Sequence, residues 1–465
     1  TGPYRLHLQV PCGNGVFDPG EECDPKNEQY NRFTCRRDCR LRRGLALAGR
    51  TGCAIVDGGV RCWGSNAGLI LGRSVPENQR AVCTDMARRD HSVEVALSPI
   101  QVIDPGAGVT DITGGFTEAL CAVYSSDGQA YCLGRHGTAT HYPELVRTQL
   151  PWAPCPNDDP LPSLPGACLT EPTAYATYGM TYEDLKGLTV GKSSKCMING
   201  QELACWGSFA NGQLGTDMAC PNCAGLIVPE GIAIPGGERS LRKPEFVALG
   251  DETACVILSG GRLACWGRND RGQAGTGEVN SGEHCTVACE RTPRMIDHVE
   301  DVIAVTLGAR HTCAVKLSGE LFCWGDNSNG QLAVESDEDP CGDVDCVRVP
   351  RRVTHLNDVI DVAAGDRHTC AVTRQGSIWC WGSNQFGQLG LGVRGGPRAN
   401  ESDDVAIPVL VGVMPQASGV TARLNSTCAR SSSGRVFCWG ENKNAQLGTR
   451  CSNVETRPIE IPTRD

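Results

Sequence analysis

The sequence predicts an all-β protein: one hairpin unit repeated around a propeller-like body. Three observations predict it. A phrase consisting of Cys, a short strand, a turn with Gly or Asn, a second strand, Cys and then Trp-Gly, or Leu-Gly in one copy, recurs seven times in 465 residues. The first Cys of successive copies advances by 68, 75, 59, 58, 57 and 58 residues, a period that suits one propeller blade plus an insertion. Composition agrees, since 57 Gly and 27 Pro beside 5% aromatic residues disfavour a helical protein.

The remaining composition narrows the function. The 28 Cys are even in number and too many to stay reduced without a large metal load, which places the chain outside the cytosol with disulfides. The net charge of −10 gives no attraction to nucleic-acid phosphates or anionic membranes. The longest apolar stretch, Val405 to Met414, holds a proline and falls far short of a bilayer span. We therefore expect no nucleic-acid partner and no membrane insertion, and read the chain as a soluble mature form whose export signal has been removed.

In chain order, residues 1–11 come first as a strand and linker. Tyr4 to Val10 alternates as a β-strand does, with Leu6, Leu8 and Val10 on one face. Residues 12–43 form a cysteine-rich module running from Cys12 to Cys39. It resembles the C-G-[DN]-G-x-x-[DE]-x-G-E-x-C-D repeat of secreted bacterial and metalloprotease ectodomains, with Asn31-Arg-Phe-Thr34 in place of the usual acidic stretch. So short a module cannot form its own core, and two disulfides among Cys12, Cys23, Cys35 and Cys39 must hold it, in any of three connectivities. Asp18, Glu21, Glu22 and Asp24 offer hard oxygen ligands for calcium, against the plainer reading of a solvated acidic turn.

The seven hairpins follow, within residues 44–465. Their cysteines are Cys53 and Cys62, Cys121 and Cys132, Cys196 and Cys205, Cys255 and Cys265, Cys313 and Cys323, Cys370 and Cys380, and Cys428 and Cys438. The partners stand 9 to 11 residues apart, which sets them opposite one another on paired strands at a separation a disulfide spans. Behind several hairpins comes a variant of N-x-x-G-Q-L-G, as in Asn384-Gln-Phe-Gly-Gln-Leu-Gly390. Ahead of them comes V-x-x-[AT]-x-G-x-x-[HT]-[TA]-C, as in Val362-Ala-Ala-Gly365-Asp-Arg-His368-Thr-Cys370. With these phrases in fixed order, the chain from Leu45 to Asp465 resembles the regulator-of-chromosome-condensation repeats, a family of seven-bladed β-propellers. The second copy departs most, with Leu133 in the Trp position, so blade two is expected to be distorted.

The resemblance implies a ring that must close. The first copy lacks the P-x-x-V strand that precedes the others, and the chain ends with a spare one at 457–462, so this C-terminal strand is expected to complete blade one. The inserts of blades one and seven hold single cysteines, Cys83 and Cys451, which suggests one disulfide locking the ring. The inserts of blades two to five hold the pairs Cys155 and Cys168, Cys220 and Cys223, Cys285 and Cys289, and Cys341 and Cys346.

Searches for chemistry mostly fail. His311 and His368 recur at one repeat position and so share a structural task, buried hydrogen bonding near the propeller axis. No H-E-x-x-H, G-x-S-x-G or Walker loop occurs. The acidic insert of blade five, with Asp337, Asp343 and Asp345, is a second calcium candidate beside the reading of a disulfide-pinned solvated loop. No other cofactor is expected. All the inserts leave the repeat at the same place and must rise from one side of a propeller, and the longest, on blade two, carries Trp152. The expectation is therefore a non-enzymatic, exported protein of bacterial type at the cell surface or in the medium, which binds a protein partner or identical copies. The Tyr4 to Val10 strand is the candidate for filament-like strand addition. The alternative is a polysaccharide lyase or hydrolase, which would need carboxylates or a His/Tyr pair converging on the axis.

Overall fold

β-Branched and small apolar residues alternate between glycine turns, and the strands they form are short and regular. The computed structural model describes residues 44–463, except 68, 72–74, 85–91, 116–118, 125–129, 139–151, 155–165, 175–184, 208–209, 217–225, 234–242, 280–284, 286, 337–340, 342–343, 396–403, 413 and 453. Among the described residues there is no helix, and the strands make seven separate antiparallel sheets, one per repeat. The fold is a seven-bladed β-propeller.

Blade six shows the pattern. Val359–Ala364 lies innermost, followed outward by His368–Thr373, Ile378–Ser383 and Asp404–Leu410. Cys370 sits directly opposite Cys380, and the two are bonded across a Cα separation of 4.1 Å. The same bond joins all seven hairpins. On the outer strand Cys380 faces Val409 but Gly382 faces Val405, so three residues, including Pro408, bulge opposite Trp381. Proline has no N–H to offer a ladder, and here it costs nothing because the bulge needs none. The bulge and proline recur on the outer strands of blades four, five and seven, which blunts those edges against further pairing.

The structure corrects how the ring closes. All but the last residue of the segment 457–462 belongs to Val454–Ile461, which pairs with Val436–Glu441 as the fourth strand of blade seven and not with blade one. Blade one fills its own fourth place with Ser92–Ile103. The proline-bearing strand ahead of each hairpin in sequence is the outer strand of the preceding blade, so each blade is one continuous stretch of chain. Closure is left to side chains. Cys83 is bonded to Cys451, the Trp63 indole donates to Gln446 O at 3.2 Å, and Leu47, Ala54 and Trp63 share a core with Val436, Leu447 and Ile461.

Blades one and two each gain a fifth strand from their inserts, Arg80–Thr84 and Trp152–Pro154. Blade two is irregular, with register shifts where Gly166–Ala174 meets Ala130–Thr138.

Candidate functional site

Four antiparallel strands send their connections alternately to the two faces of a propeller. The link from first to second strand and the link from third to fourth therefore share one face, which carries all the inserts. The seven innermost strands surround an axial channel of about 160 Å³, lined by residues such as Leu47, Ile112, Thr189, Leu249, Thr306 and Arg423.

The first-to-second links ring the mouth of this channel on the insert face. Each inner strand of blades three to six is followed by glycine because neighbouring blades pass too closely for a side chain: a Cβ on Gly308 would lie 2.3 Å from Gly365 O. The residue after that glycine is free to vary, and in three blades it is charged, as Lys192, Asp251 and Asp366. Arg423 at the end of the inner strand of blade seven joins them. Lys192 Nζ pairs with Asp251 Oδ2 at 3.4 Å, and Arg423 Nη2 donates to Gly114 O at 2.7 Å. Asp366 Oδ1 is shut off from solvent without a hydrogen-bond partner. Burial, reinforced by Asp251, pushes the Asp366 carboxyl up to about 6 against the pull of Arg423, Lys192 and Arg367. Burial likewise raises Asp251, opposed by Lys192, and lowers Arg423 to about 10.

Between the blades runs a second set of polar groups. The carbonyl of the repeat's Gln accepts from the next blade: Gln331 O from Thr369 Oγ1 at 2.8 Å and from the Trp381 indole at 2.8 Å. Gln388 O takes the same bonds from Thr427 and Trp439. Gln273 O takes them from Thr312 and Trp324. Because the Thr369 hydroxyl donates to Gln331 O, it accepts from His311 Nε2, 3.0 Å away. His368 stands to Thr427 in the same way. Both rings thus carry their proton on Nε2 and leave Nδ1 without a partner. Burial depresses His311 to about 4 and His368 to about 3, so both are neutral at neutral pH.

The model of the regulator of chromosome condensation (RCC1) repeat matches residues 260–315, 318–372 and 375–422, and a second model of that repeat matches 246–273, 302–331, 359–388 and 424–446. The chain is an RCC1-like repeat propeller. It is 29% identical over 269 residues to the ultraviolet-B receptor UVR8 of Arabidopsis thaliana, covering 57% of this chain and 54% of the receptor. It is 30% identical over 210 residues to the probable E3 ubiquitin-protein ligase HERC6 of Homo sapiens, covering 44% of this chain and 19% of the ligase. The chain thus spans about half the length of the first and about a fifth of the second. Among solved structures, Prp20p from Saccharomyces cerevisiae superposes with a TM-score of 0.64 at 16% identity, covering 89% of this chain and 87% of that one. Human WBSCR16 superposes with a TM-score of 0.62 at 17% identity, covering 86% and 94%. At such identities the likeness is one of fold.

In this RCC1-like propeller the sequence-derived site residues fall as follows. Besides the hairpin bonds, Cys83 is joined to Cys451, Cys285 to Cys289 and Cys341 to Cys346, and no free cysteine occurs among the described residues. His311 and His368 are buried at the seams between blades, where they bond to the neighbouring threonines. Trp152 heads an edge strand of blade two and pairs with Leu169, its side chain lying outside the described residues. Asp345 is exposed, and its carbonyl accepts from Asn327 N at 2.8 Å. Asp337 and Asp343 lie outside the described residues, as do Asp18, Glu21, Asp24, Tyr4, Leu6, Leu8, Val10 and the cysteines at 12, 23, 35, 39, 155, 220 and 223, together with the Cys168 side chain. Among the described residues no three His, Cys, Asp or Glu are grouped to hold a metal.

Sequence reasoning missed the mouth cluster altogether. Its signal was the variable position after each fixed glycine, which a motif search discards. It also missed two copies of the post-hairpin turn, Asn269 to Gly275 with Ala274 for Leu, and the one beginning at Asn66 with Ile70 for Gln.

Proposed function

We propose that this chain is an exported, non-enzymatic scaffold that binds a protein partner through its insert-bearing face. The observation that carries the reading is where the disulfides outside the hairpins lie. Cys83–Cys451, Cys285–Cys289 and Cys341–Cys346 all stiffen connections between third and fourth strands, on the face that also holds the charged mouth. Loops already ordered lose little entropy on binding. Cysteines paired throughout the described residues suit an oxidising compartment. The relatives support binding in general terms: Prp20p was solved with an account of its binding to Gsp1p and histones, and yeast RCC1 was solved bound to Kap60.

A photo-crosslinker placed at Asp345 on the insert face, or at Ser318 on the opposite face, tests this in the native source. A discrete adduct from Asp345 and none from Ser318 is expected. Adducts from Ser318 alone, or from neither position, would sink the reading. Contact between identical copies belongs to the same reading, and deleting residues 1–10 while measuring mass in solution decides whether the N-terminal strand drives it.

The polysaccharide-acting reading gains one observation, the convergence of Asp251 and Asp366 on the axis mouth. Against it, Asp251 is paired with Lys192, and the channel of about 160 Å³ is small beside the ~300–1,000 Å³ of ordinary ligand pockets. Release of reducing sugar that vanishes in Asp366→Asn would favour it over the scaffold.

A further inference from the structure

A sheet edge offers its backbone N–H and C=O groups to any strand that arrives, and the seven blades differ in how they close theirs. In blades three to seven the outermost strand is bulged around a proline, at Pro229, Pro293, Pro350, Pro408 and Pro458. Blade two ends in the three-residue strand Trp152–Pro154, again with a proline. Blade one has the same bulge around Pro99, but ahead of it Ser92–Ile103 is covered by Arg80–Thr84. That fifth strand runs through five consecutive pairs, from Arg80 with Ala96 to Thr84 with Ser92, without a register shift or a proline. Among the described residues it is the one outermost strand left unblunted.

Leu97 N donates to Gln79 O at 3.1 Å, so Gln79 bonds toward the sheet and, by the alternation of an antiparallel ladder, Ala81 and Cys83 do as well. The N–H and C=O groups of Arg80, Val82 and Thr84 therefore point outward. Val82 stands 60% exposed on one face of this edge, and beside it the Arg80 guanidinium reaches back to Glu94 at 3.8 Å. Cys83, on the other face, is buried and bonded to Cys451, which pins the edge to blade seven.

We propose that Arg80–Thr84 is the receiving edge for a second copy of this chain, whose Tyr4 to Val10 segment adds to it as a further strand. This rests on the scaffold reading, in its form of contact between identical copies, and names the two surfaces that meet. The segment alternates as a strand does, is longer than the five-residue edge, and has an apolar face of Leu6, Leu8 and Val10 to set beside Val82. The ring favours another copy over the chain's own segment. Gly44 O accepts from Ile55 N at 2.9 Å, next to the Asp57–Gly58 turn, so the chain enters its innermost strand from the face opposite the inserts. The receiving edge lies at the rim of the insert face, where Cys83 meets Cys451. Donor and receiver on opposite faces set copies head to tail, with one strand and one edge each, in an array that need not close.

Mass in solution over a concentration series, on the whole chain, tests this. Wild type is expected to grow in mass as concentration rises. Val82→Pro removes an outward N–H, which an edge strand tolerates, and Leu8→Pro interrupts the incoming strand; each should need at least about tenfold more protein to associate. Mixed together, the two variants should form a one-to-one pair and nothing larger, because the first keeps its strand and the second its edge. Exchange of the wild-type Val82 amide should slow about tenfold or more on association. If Val82→Pro lowers the thermal midpoint, Val82→Lys, which leaves the backbone intact and blunts the edge by charge, carries the same expectation. Wild type that stays monomeric to its solubility limit would overturn the proposal, as would Val82 variants that associate like wild type or proline variants that do not pair when mixed. Association lost in Leu8→Pro but kept in both Val82 variants would overturn the edge alone. A discrete adduct of another protein from Asp345 beside a monomeric wild type would overturn the proposal and leave the scaffold reading intact.

Discussion

The seam between blades six and seven and the seam between blades one and two close the same ring with different chemistry. At the first, His368 donates to Thr427, Thr427 to Gln388 O, and the Trp439 indole to that same carbonyl. At the second, Leu133 stands where the indole would be and Ile70 where Gln would be, and both pack with Ile112 and Leu120. One bond of the turn is kept, since Leu71 N still donates to Asn66 Oδ1 as Leu389 N does to Asn384 Oδ1. Apolar packing fills a seam but does not fix an angle, whereas hydrogen bonds fix both. The apolar seam borders blade one, whose other seam carries the Cys83–Cys451 bond, so a covalent link stands on the far side of the same blade from a seam without the Trp and Gln pair.

The largest expected effect comes from cutting that link. Cys83→Ser opens a loop of 368 residues, about 6 kcal/mol in chain entropy, whereas Cys323→Ser opens one of 10 residues, about 3 kcal/mol. Chemical denaturation should rank them in that order, and equal losses would show that the seam does not depend on the lock.

Next is the exchange of one seam's chemistry for the other's. Trp439→Leu should cost about 3–4 kcal/mol, since it leaves both a cavity and one bond fewer on Gln388 O. Adding Gln388→Ile should make the pair less costly than the sum by about 1 kcal/mol. Strict additivity would mean that Ile70 and Leu133 are not a matched pair.

A smaller effect comes from pH. His311 and His368 have folded pKa values below the unfolded 6.5, so the stability they contribute is fully present above 6.5 and is lost as pH falls to about 4 for His311 and about 3 for His368. The slope is about 1 kcal/mol per pH unit for each ring. Hydrogen exchange between pH 7 and 5 should weaken the seams of blades five to seven first. Equal weakening of the seam between blades one and two would break the comparison.

The smallest is Asp366→Asn. Its folded pKa is raised, so its contribution is fully present below 3.8 and is lost as pH rises through about 6. The variant should be more stable than wild type by about 1 kcal/mol at pH 7.5, after allowance for solvent screening, and equal to it below pH 4. A loss at pH 7.5 would mean that the carboxylate has a partner after all.

Much of this was legible in the residues. Seven hairpins and their cysteine pairs follow from local alternation and spacing, because a disulfide-closed hairpin is decided by neighbours about ten residues apart, whereas the Cys83–Cys451 bond was legible only through the ring closure that the family resemblance implies. His311 and His368 were legible as buried structural groups because they recur. Two things were decided only in three dimensions. One is the owner of the proline-bearing strand: it lies between two hairpins, the sequence suits either, and the bulge opposite Trp381 and its equivalents gives it to the earlier one. The other is the mouth of the channel, where Lys192, Asp251, Asp366 and Arg423 come from four blades and meet only because the ring closes. Their positions vary from blade to blade, so no repeat pattern marks them. A repeat encodes what each blade shares, and a site on the axis is made from what the blades do not share.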